Sequence, residues 1–187
     1  MNAVTARPGS PLVRGIFATL LGPTFDQLPP AVRAVHCGRS VWLEGTASVT
    51  RGRARTARLL CELMSLPLEQ RDRPVTVVLE ATSSGEIWSR WYGASRVMRS
   101  YVRAGGSLLV ERLGPIALHF RLAVRRGALE WILARATLFG IPLPGRVFRG
   151  MTARAFEKDG RYAFAVSVAL PYVGPVIAYE GSVDAAT

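Results

Sequence analysis

The stretch that decides the fold is SLLVERLGPIALHFRLAVRRGALEWILARATL, residues 107–138. It divides into three predicted strands, 107–113, 116–124 and 128–138, which are separated by Gly114-Pro115 and by residues 125–127. In the middle strand every second residue is apolar, which predicts one buried face made of Ile116, Leu118, Phe120, Leu122 and Val124. Because breaks this short usually join antiparallel neighbours, the stretch predicts a curved antiparallel sheet.

The rest of the chain adds strands to this sheet and keeps its helices in the first third. Apolar spacing predicts helical segments at 12–21, 25–28, 31–36 and 53–65, where Ala57, Leu60, Leu63 and Met64 would form the buried side of the last helix. Further strands are predicted at 40–50, 75–81, 86–92, 95–102, 151–158, 161–170 and 176–183. We therefore expect a mainly β (α+β) fold of about ten antiparallel strands, a curved sheet or a lipocalin-like barrel whose closure removes exposed strand edges.

Length and composition place the chain among single-domain globular proteins. Its 187 residues are 49% hydrophobic, and we expect a flexible lead-in at 1–11 followed by one β-rich domain at 12–187. No apolar run has the length of a membrane-spanning helix, and no convincing cleavage site follows the apolar patch near the start. Cys37 and Cys61 are too few and too far apart for a disulfide framework or a zinc site. We expect a soluble, cytoplasmic protein without cofactor or metal.

The basic charge makes anionic partners plausible without identifying one. The net charge is +11, and Lys158 is the only lysine among 24 basic residues, so the excess is almost entirely arginine. The densest group, Arg51, Arg53, Arg55 and Arg58, is the best candidate for a phosphate, nucleic-acid or lipid-headgroup site. Aromatic residues that could stack on bases are not interleaved with it, which disfavours nucleic acid, and a solvated helix face is the simpler interpretation.

Glu111 is the first candidate for chemistry. It alternates with Leu109 and Leu113, so an inward orientation would bury a carboxylate, as a general acid or base or a ligand anchor requires. The structural alternative is a buried salt bridge to Arg90, Arg135 or Arg154. A third interpretation turns Arg112 inward and leaves Glu111 in solvent.

Two histidines are available for proton transfer. His36 lies at a predicted helix end, where it can interact with the helix C-terminus or a nearby loop, or act as the proton shuttle of a pocket. No second titratable residue is adjacent in sequence, which favours the structural interpretation. His119 falls on the polar side of its strand and is predicted to lie at the surface.

Aromatic and charged residues on the strands could line a ligand cavity, although aromatics on alternating strands are most often core. The candidate ligand-binding residues are Trp88, Arg90, Arg112, Phe120, Trp131, Arg135, Arg154, Glu157 and Tyr179. Neither a Gly-rich phosphate loop nor a nucleophile elbow or Ser/His/Asp arrangement is visible.

Nine segments of the chain carry a further signal: 25–36, 45–52, 66–67, 88–90, 111–115, 142–144, 156–164, 170–174 and 179–181, among them FDQLPPAVRAVH and FEKDGRYAF. Together they resemble an uncharacterised bacterial family, a domain of unknown function that occurs alone or fused behind a saccharopine-dehydrogenase-like domain. They cover nearly the whole chain and are specific when taken in order. The chain departs from the pattern at Tyr92, where a phenylalanine is expected. The resemblance implies a domain boundary and little chemistry.

Three hypotheses follow for function. The first is a barrel that binds a hydrophobic small molecule, lipid or polyketide-like compound, with arginines holding a polar or anionic end. The second is a cofactor-free cyclase, isomerase or hydrolase in which Glu111, with an arginine or tyrosine, moves a proton. The third is an arginine-rich interaction module for an anionic partner.

Overall fold

The computed structural model of the protein describes residues 15–93 and 97–186. The predicted lead-in, the first residues of the predicted helix at 12–21 and the start of the predicted strand at 95–102 lie outside these residues. The helices are α1 (Ile16–Leu21), α2 (Pro30–Val35) and α3 (Arg55–Leu63), with 3₁₀ helices at Gly22–Gln27 and Gly145–Phe148. The strands are β1 (Val41–Arg51), β2 (Gln70–Ala81), β3 (Glu86–Tyr92), β4 (Met98–Gly105), β5 (Leu108–Leu113), β6 (Ile116–Arg125), β7 (Ala128–Leu138), β8 (Ile141–Leu143), β9 (Gly150–Lys158), β10 (Arg161–Leu170) and β11 (Gly174–Ala185). None of the described helices is long and apolar enough to cross a membrane.

The strands form a closed antiparallel barrel, which confirms the predicted fold class. All strands except β8 follow one another around the barrel in the order β1 to β7, then β9, β10 and β11, and β11 pairs with β1. The α-helices lie in the N-terminal third of the described chain, as predicted. Within the decisive stretch, β6 pairs with both β5 and β7, and Phe120 is buried while its neighbour Arg121 is exposed.

Helices close one end of the barrel and cover part of the outside at the other. Phe17 of α1 and Val32 of α2 are fully buried, because this helical segment packs over the ends of β4, β5, β6, β9 and β10. Near the opposite end α3 rests on β1 and β11 through Ala57 and Cys61. The prediction that Leu63 belongs to the buried side of α3 was wrong. This side chain is 70% exposed, because the short residues Ala57 and Cys61 let the opposite side of the helix approach the barrel.

Prolines explain two further differences from the predicted strands. β2 begins at Gln70 rather than at Val75 and so includes Pro74. The backbone nitrogen of Pro74, which lacks a hydrogen, faces β3. The β2–β3 ladder ends at the pair Val75 and Tyr92, so Pro74 lies beyond it and no ladder hydrogen bond is lost. The predicted loop at 140–145 contains the short strand β8, whose Pro142 is tolerated because β8 is an edge strand.

Gly45 marks a close approach between two strands. A Cβ atom built at this position would lie 2.0 Å from the carbonyl oxygen of Ser182, so any larger residue would push β1 and β11 apart. Gly181 on β11 is similarly tight, with a built Cβ 2.4 Å from the carbonyl oxygen of Thr46. The two glycines therefore permit this strand pairing.

The barrel is closed most weakly between β7 and β9. Only Leu129 pairs with Ala155 and Glu130 with Arg154, whereas the neighbouring β6–β7 ladder is continuous along both strands apart from one bulge. Beyond Glu130 the edge of β7 diverges from β9, and β8 with the following 3₁₀ helix fills the connection. We call this region, β7 residues 131–135 facing β9 residues 150–153, the β7–β9 seam.

Candidate functional site

Glu111 points into the barrel and belongs to a buried polar triad. It shares the inner side of β5 with Leu109, which is fully buried. Arg112, the next residue along the strand, points to the other side and is exposed. The Oγ of Ser100 on β4 donates to Glu111 Oε1 at 2.6 Å, and Arg90 Nη2 on β3 donates to the same oxygen at 3.1 Å. Arg90 Nη1 in turn donates to Ser100 Oγ at 3.2 Å. The structural alternative, a salt bridge from Glu111 to Arg90, is therefore what the structure contains.

Arg90 is charged although it is enclosed. Burial works against its charge, but the Glu111 carboxylate more than compensates, so the pKa of Arg90 is raised above its usual value. The guanidinium also lies over the Trp88 ring, with Cζ 4.8 Å from the centroid, a favourable cation–π distance. Trp88 is fixed in turn, because its Nε1 donates to the buried Glu86 carboxylate at 2.8 Å. Burial raises the pKa of Glu86, and the hydrogen bond from Trp88 opposes that shift.

Three tyrosines on the inner side surround the guanidinium. Burial raises the pKa of Tyr179 to about 12, and it also raises the pKa of Tyr92 and Tyr162. Tyr92 and Tyr179 meet edge to face with ring centroids 5.7 Å apart. All three phenols therefore remain neutral at physiological pH and can offer hydrogen bonds but not a base.

The side chain of His36 projects from the end of α2 into the barrel rather than toward the helix end or a loop. It is 1% exposed, its Nε2 lies 3.2 Å from the Tyr162 hydroxyl, and the rings of Phe17, Trp88 and Trp131 surround it. Burial lowers the pKa of His36 to about 3, so the imidazole is neutral at physiological pH. Its Nδ1 is buried and has no hydrogen-bond partner among the described residues.

The remaining candidate residues divide between the inside and the outside of the barrel. Trp88, Phe120, Trp131 and Tyr179 line the interior together with Arg90 and Glu111. Arg112 and Arg135 are exposed, and Arg135 borders a cleft on the outside. Glu157 has a structural contact, because its Oε2 accepts a hydrogen bond from the backbone N–H of Ala31 at 2.9 Å.

His119 lies on the outer side of β6, as predicted, but is only partly exposed. Burial and then the nearby charges of Arg135 and Arg103 lower its pKa. Of the predicted anion cluster, Arg51 donates to the carbonyl oxygen of Pro67 and pairs with Glu62, whereas the other members, Arg53, Arg55 and Arg58, are exposed.

Two hollows meet at the β7–β9 seam. The interior holds a cavity of about 100 Å³, and the outer cleft beside β7 has a volume of about 780 Å³. The cleft is floored by small residues of β10 and β11, among them Ala165, Ser167 and Ala178. Both hollows are lined by Trp131, Met151, Ala153, Arg154, Val166 and Tyr179. The seam is therefore where the interior of the barrel comes closest to solvent.

Sequence reasoning missed several of these residues. Ser100 alternates with the apolar Met98 and Val102, the same signal that marks Glu111, so the sequence does contain a pattern that could identify it. Met151 and Ala153 carry no chemical signal, and their importance comes only from the point at which β9 leaves β7. No group of three or more His, Cys, Asp or Glu side chains that could hold a metal occurs within residues 15–93 and 97–186.

Comparison with known proteins identifies a family but no activity. A family model described as "Domain of unknown function (DUF4166)" matches residues 28–183. The chain belongs to this family. The match agrees with the resemblance to an uncharacterised domain of unknown function, and it covers strands β1 to β10 and β11 as far as Val183. Searches of curated proteins and of solved structures found no match.

Proposed function

We propose that this DUF4166 domain binds a small amphipathic molecule, such as a lipid or a polyketide-like compound, at the β7–β9 seam. The observation that carries the proposal is that the outer cleft and the interior cavity share lining residues, among them Trp131 and Met151 of the seam and Tyr179 of β11. Sites for drug-sized ligands measure about 300–1,000 Å³, so the interior cavity alone is too small for such a ligand. The cleft would hold most of the molecule, and an apolar group would reach inward past Trp131.

The charges around the cleft favour an anionic end on the ligand. Arg135, Arg149 and Arg154 line it, and Arg154 lies over the Phe156 ring without a carboxylate partner among the described residues. Two carboxylates also line the cleft, Glu130 and Glu180, but Glu130 is paired with Arg125 at 3.5 Å. Arginine in such a site can bind a carboxylate or phosphate through two parallel hydrogen bonds.

A pair of fluorescent probes of similar size tests the proposal. We expect the anionic probe 8-anilinonaphthalene-1-sulfonate to bind and its neutral analogue N-phenyl-1-naphthylamine to bind more weakly. Arg154→Gln should lower the affinity for the anionic probe by roughly tenfold, the typical value of one charge-assisted hydrogen bond. The affinity for the neutral probe should not change. Ala165→Phe should lower the affinity for both probes, because the larger side chain would fill the floor of the cleft.

Arg126→Gln is the matched control, because Arg126 is an exposed arginine in a turn at the opposite end of the barrel. Equal binding of both probes to the wild type, Arg154→Gln and Ala165→Phe would refute the site. Native mass spectrometry of the purified protein would show any ligand that copurifies, and its chemical class would test the amphipathic character directly.

A second candidate function is cofactor-free proton transfer by a cyclase, isomerase or hydrolase. It is favoured by the convergence of Glu111 and Ser100 within hydrogen-bond distance beside the cavity. Glu111→Gln should then abolish turnover of the bound compound while preserving the fold. Normal turnover in that variant would remove Glu111 from the mechanism.

The setting we propose is the reducing cytoplasm, which is supported by the free thiols of Cys37 and Cys61. In relatives where the domain follows a saccharopine-dehydrogenase-like domain, as the sequence resemblance implies, the ligand would lie beside an oxidoreductase. An amphipathic ligand bound at the seam would suit both the domain alone and the domain fused to such an oxidoreductase.

A further inference from the structure

One end of the barrel carries nearly all of the exposed large apolar side chains. This end, which we call the α3 end, is defined by the strand termini at Arg51, Gln70, Tyr92, Met98, Leu113, Ile116, Leu138, Gly150, Leu170 and Gly174. Among the large apolar side chains that are exposed in the described residues, only Trp42 lies at the other end. The most exposed at the α3 end are Leu59, Leu63, Phe139, Ile141 and Tyr172. Exposed apolar groups concentrated in one region mark an interaction surface.

Two of the three leucines of α3, Leu59 and Leu63, lie on the side of the helix that faces away from the barrel. Ala57 and Cys61 are buried against β11, whereas Leu59 is 60% and Leu63 is 70% exposed. Because residues four apart share one side of a helix, the two leucines form a single apolar ridge. α3 therefore carries an exposed apolar ridge in addition to its buried side of Ala57, Leu60 and Cys61, whereas an ordinary surface helix has one apolar side.

Two aromatic residues occupy backbone positions that disfavour them. Phe139 has a φ of 50° and is 80% exposed, and Tyr172 has a φ of 64° and is fully exposed. This left-handed conformation favours glycine or asparagine and is uncommon for bulky residues. Each aromatic lies at the tip of a turn, between β7 and β8 or between β10 and β11. Neither burial nor backbone preference favours an aromatic residue at these two positions.

The same end is strongly basic. The exposed arginines on or beside its strand termini and α3 are Arg53, Arg55, Arg58, Arg71, Arg73, Arg146 and Arg149. The acidic residues there are Glu62, Glu69 and Asp72, of which Glu62 is already paired with Arg51. The apolar side chains are therefore surrounded by an excess of positive charge.

We propose that the α3 end docks on the surface of an anionic lipid bilayer. The leucine ridge of α3 and the tips Phe139 and Tyr172 enter the headgroup region, and the arginines contact lipid phosphates. This combination of apolar groups with basic residues is what peripheral attachment requires, since neither alone gives stable binding. The apolar residues project from separate elements, α3 and two turns, rather than lining one groove, which suits a fluid surface better than a single protein partner.

Vesicle binding tests the proposal with variants that preserve the fold. Phe139→Asn and Tyr172→Asn remove the aromatic tips and suit the left-handed backbone, so thermal stability should be kept or raised. Together with Leu59→Ser and Leu63→Ser they should weaken sedimentation with vesicles of phosphatidylcholine and phosphatidylserine by at least roughly tenfold. Replacing Arg53, Arg55 and Arg58 by glutamine should weaken binding by about fivefold per arginine at low salt.

Trp42→Ser is the matched apolar control, because Trp42 is 55% exposed at the opposite end. It should bind these vesicles as the wild type does. Failure to sediment with the mixed vesicles, equal binding to phosphatidylcholine alone, or an equal loss in Trp42→Ser would overturn the proposal. Stronger retention on single-stranded DNA than on vesicles would also overturn it. Arg154→Gln, which tests the ligand site at the seam, should sediment normally, so the two proposals can fail separately.

Discussion

The burial of His36 makes a quantitative prediction for the pH dependence of stability. In the folded protein burial lowers the pKa of His36 from 6.5 to about 3. Below pH 6.5 His36 therefore binds a proton in the unfolded chain but not in the folded chain, and the free energy of unfolding decreases as the pH falls. The contribution of His36 is fully present above pH 6.5 and is lost progressively between pH 6.5 and pH 3.

The size of this effect follows from the two pKa values. Between pH 7 and pH 5 the unfolded state gains about 2 kcal/mol from protonation of His36, since each pH unit below its pKa is worth about 1.4 kcal/mol. Most domains are stabilised by only about 5–15 kcal/mol, so the loss is measurable. Glu86 has the opposite effect on stability. Because burial raises its pKa, the folded state binds the proton more readily than the unfolded state, and the contribution of Glu86 to the free energy of unfolding increases as the pH falls.

Urea denaturation followed by tryptophan fluorescence at pH 7, 6 and 5 measures the effect. Comparison with His36→Gln cancels the carboxylates that both proteins share, and the difference in unfolding free energy should change by about 2 kcal/mol between pH 7 and pH 5. His119→Gln is the matched control and should retain most of the pH dependence, because His119 is less deeply enclosed. A change below about 0.5 kcal/mol, or an equal effect of His119→Gln, would refute the assignment of this titration to His36.

Three further substitutions test contacts inside the barrel by chemical denaturation. Glu111→Ala should lower the free energy of unfolding by about 3 kcal/mol, because it leaves the Arg90 charge buried without its partner. Arg90→Met combined with Glu111→Leu should recover most of that loss. Full stability of Glu111→Ala would contradict the pairing. Tyr162→Phe should cost about 1 kcal/mol by removing the hydroxyl beside His36, and no change would show that this contact is not formed in solution. Gly45→Ala should destabilise by about 2 kcal/mol or more, since its methyl group would meet the carbonyl oxygen of Ser182, and a neutral result would mean that β1 and β11 can separate freely.

The barrel was predictable because its signals are local. The period of two in β6 and the short breaks between the predicted strands, such as the two residues between 151–158 and 161–170, each depend on residues close together in the chain, and the structure contains these strands. Antiparallel pairing then follows from short connections, and closure follows from the number of strands. The type of the longer elements was thus accessible from sequence, whereas the start of β2 before Pro74 and the presence of β8 around Pro142 depended on which strand edge each proline faces.

The site was less predictable because it depends on strand register and on distant contacts. Glu111 could be expected to face inward, but the choice of Arg90 over Arg135 or Arg154 required knowing that β3 and β5 flank the same strand, β4. Tyr162 lies 126 positions from His36, so no local pattern could relate them. The exposed side of α3 was equally hidden, because the sequence does not show that the barrel packs against Ala57, Leu60 and Cys61 and leaves Leu63 exposed.

The distribution of charge orients any ligand that enters at the seam. Inside the barrel Arg90 is neutralised by Glu111, and His36 and the three tyrosines are uncharged at neutral pH. An anionic group moved into this cavity beyond Arg154, which lies at the border with the cleft, would lose its hydration and meet no unpaired cation, which is unfavourable. At the cleft the same group would meet Arg149 and Arg154 while remaining partly hydrated. The ligand would therefore enter with its apolar or neutral end first and keep its anionic end outside, which is why exchanging Arg154 should discriminate between charged and neutral probes.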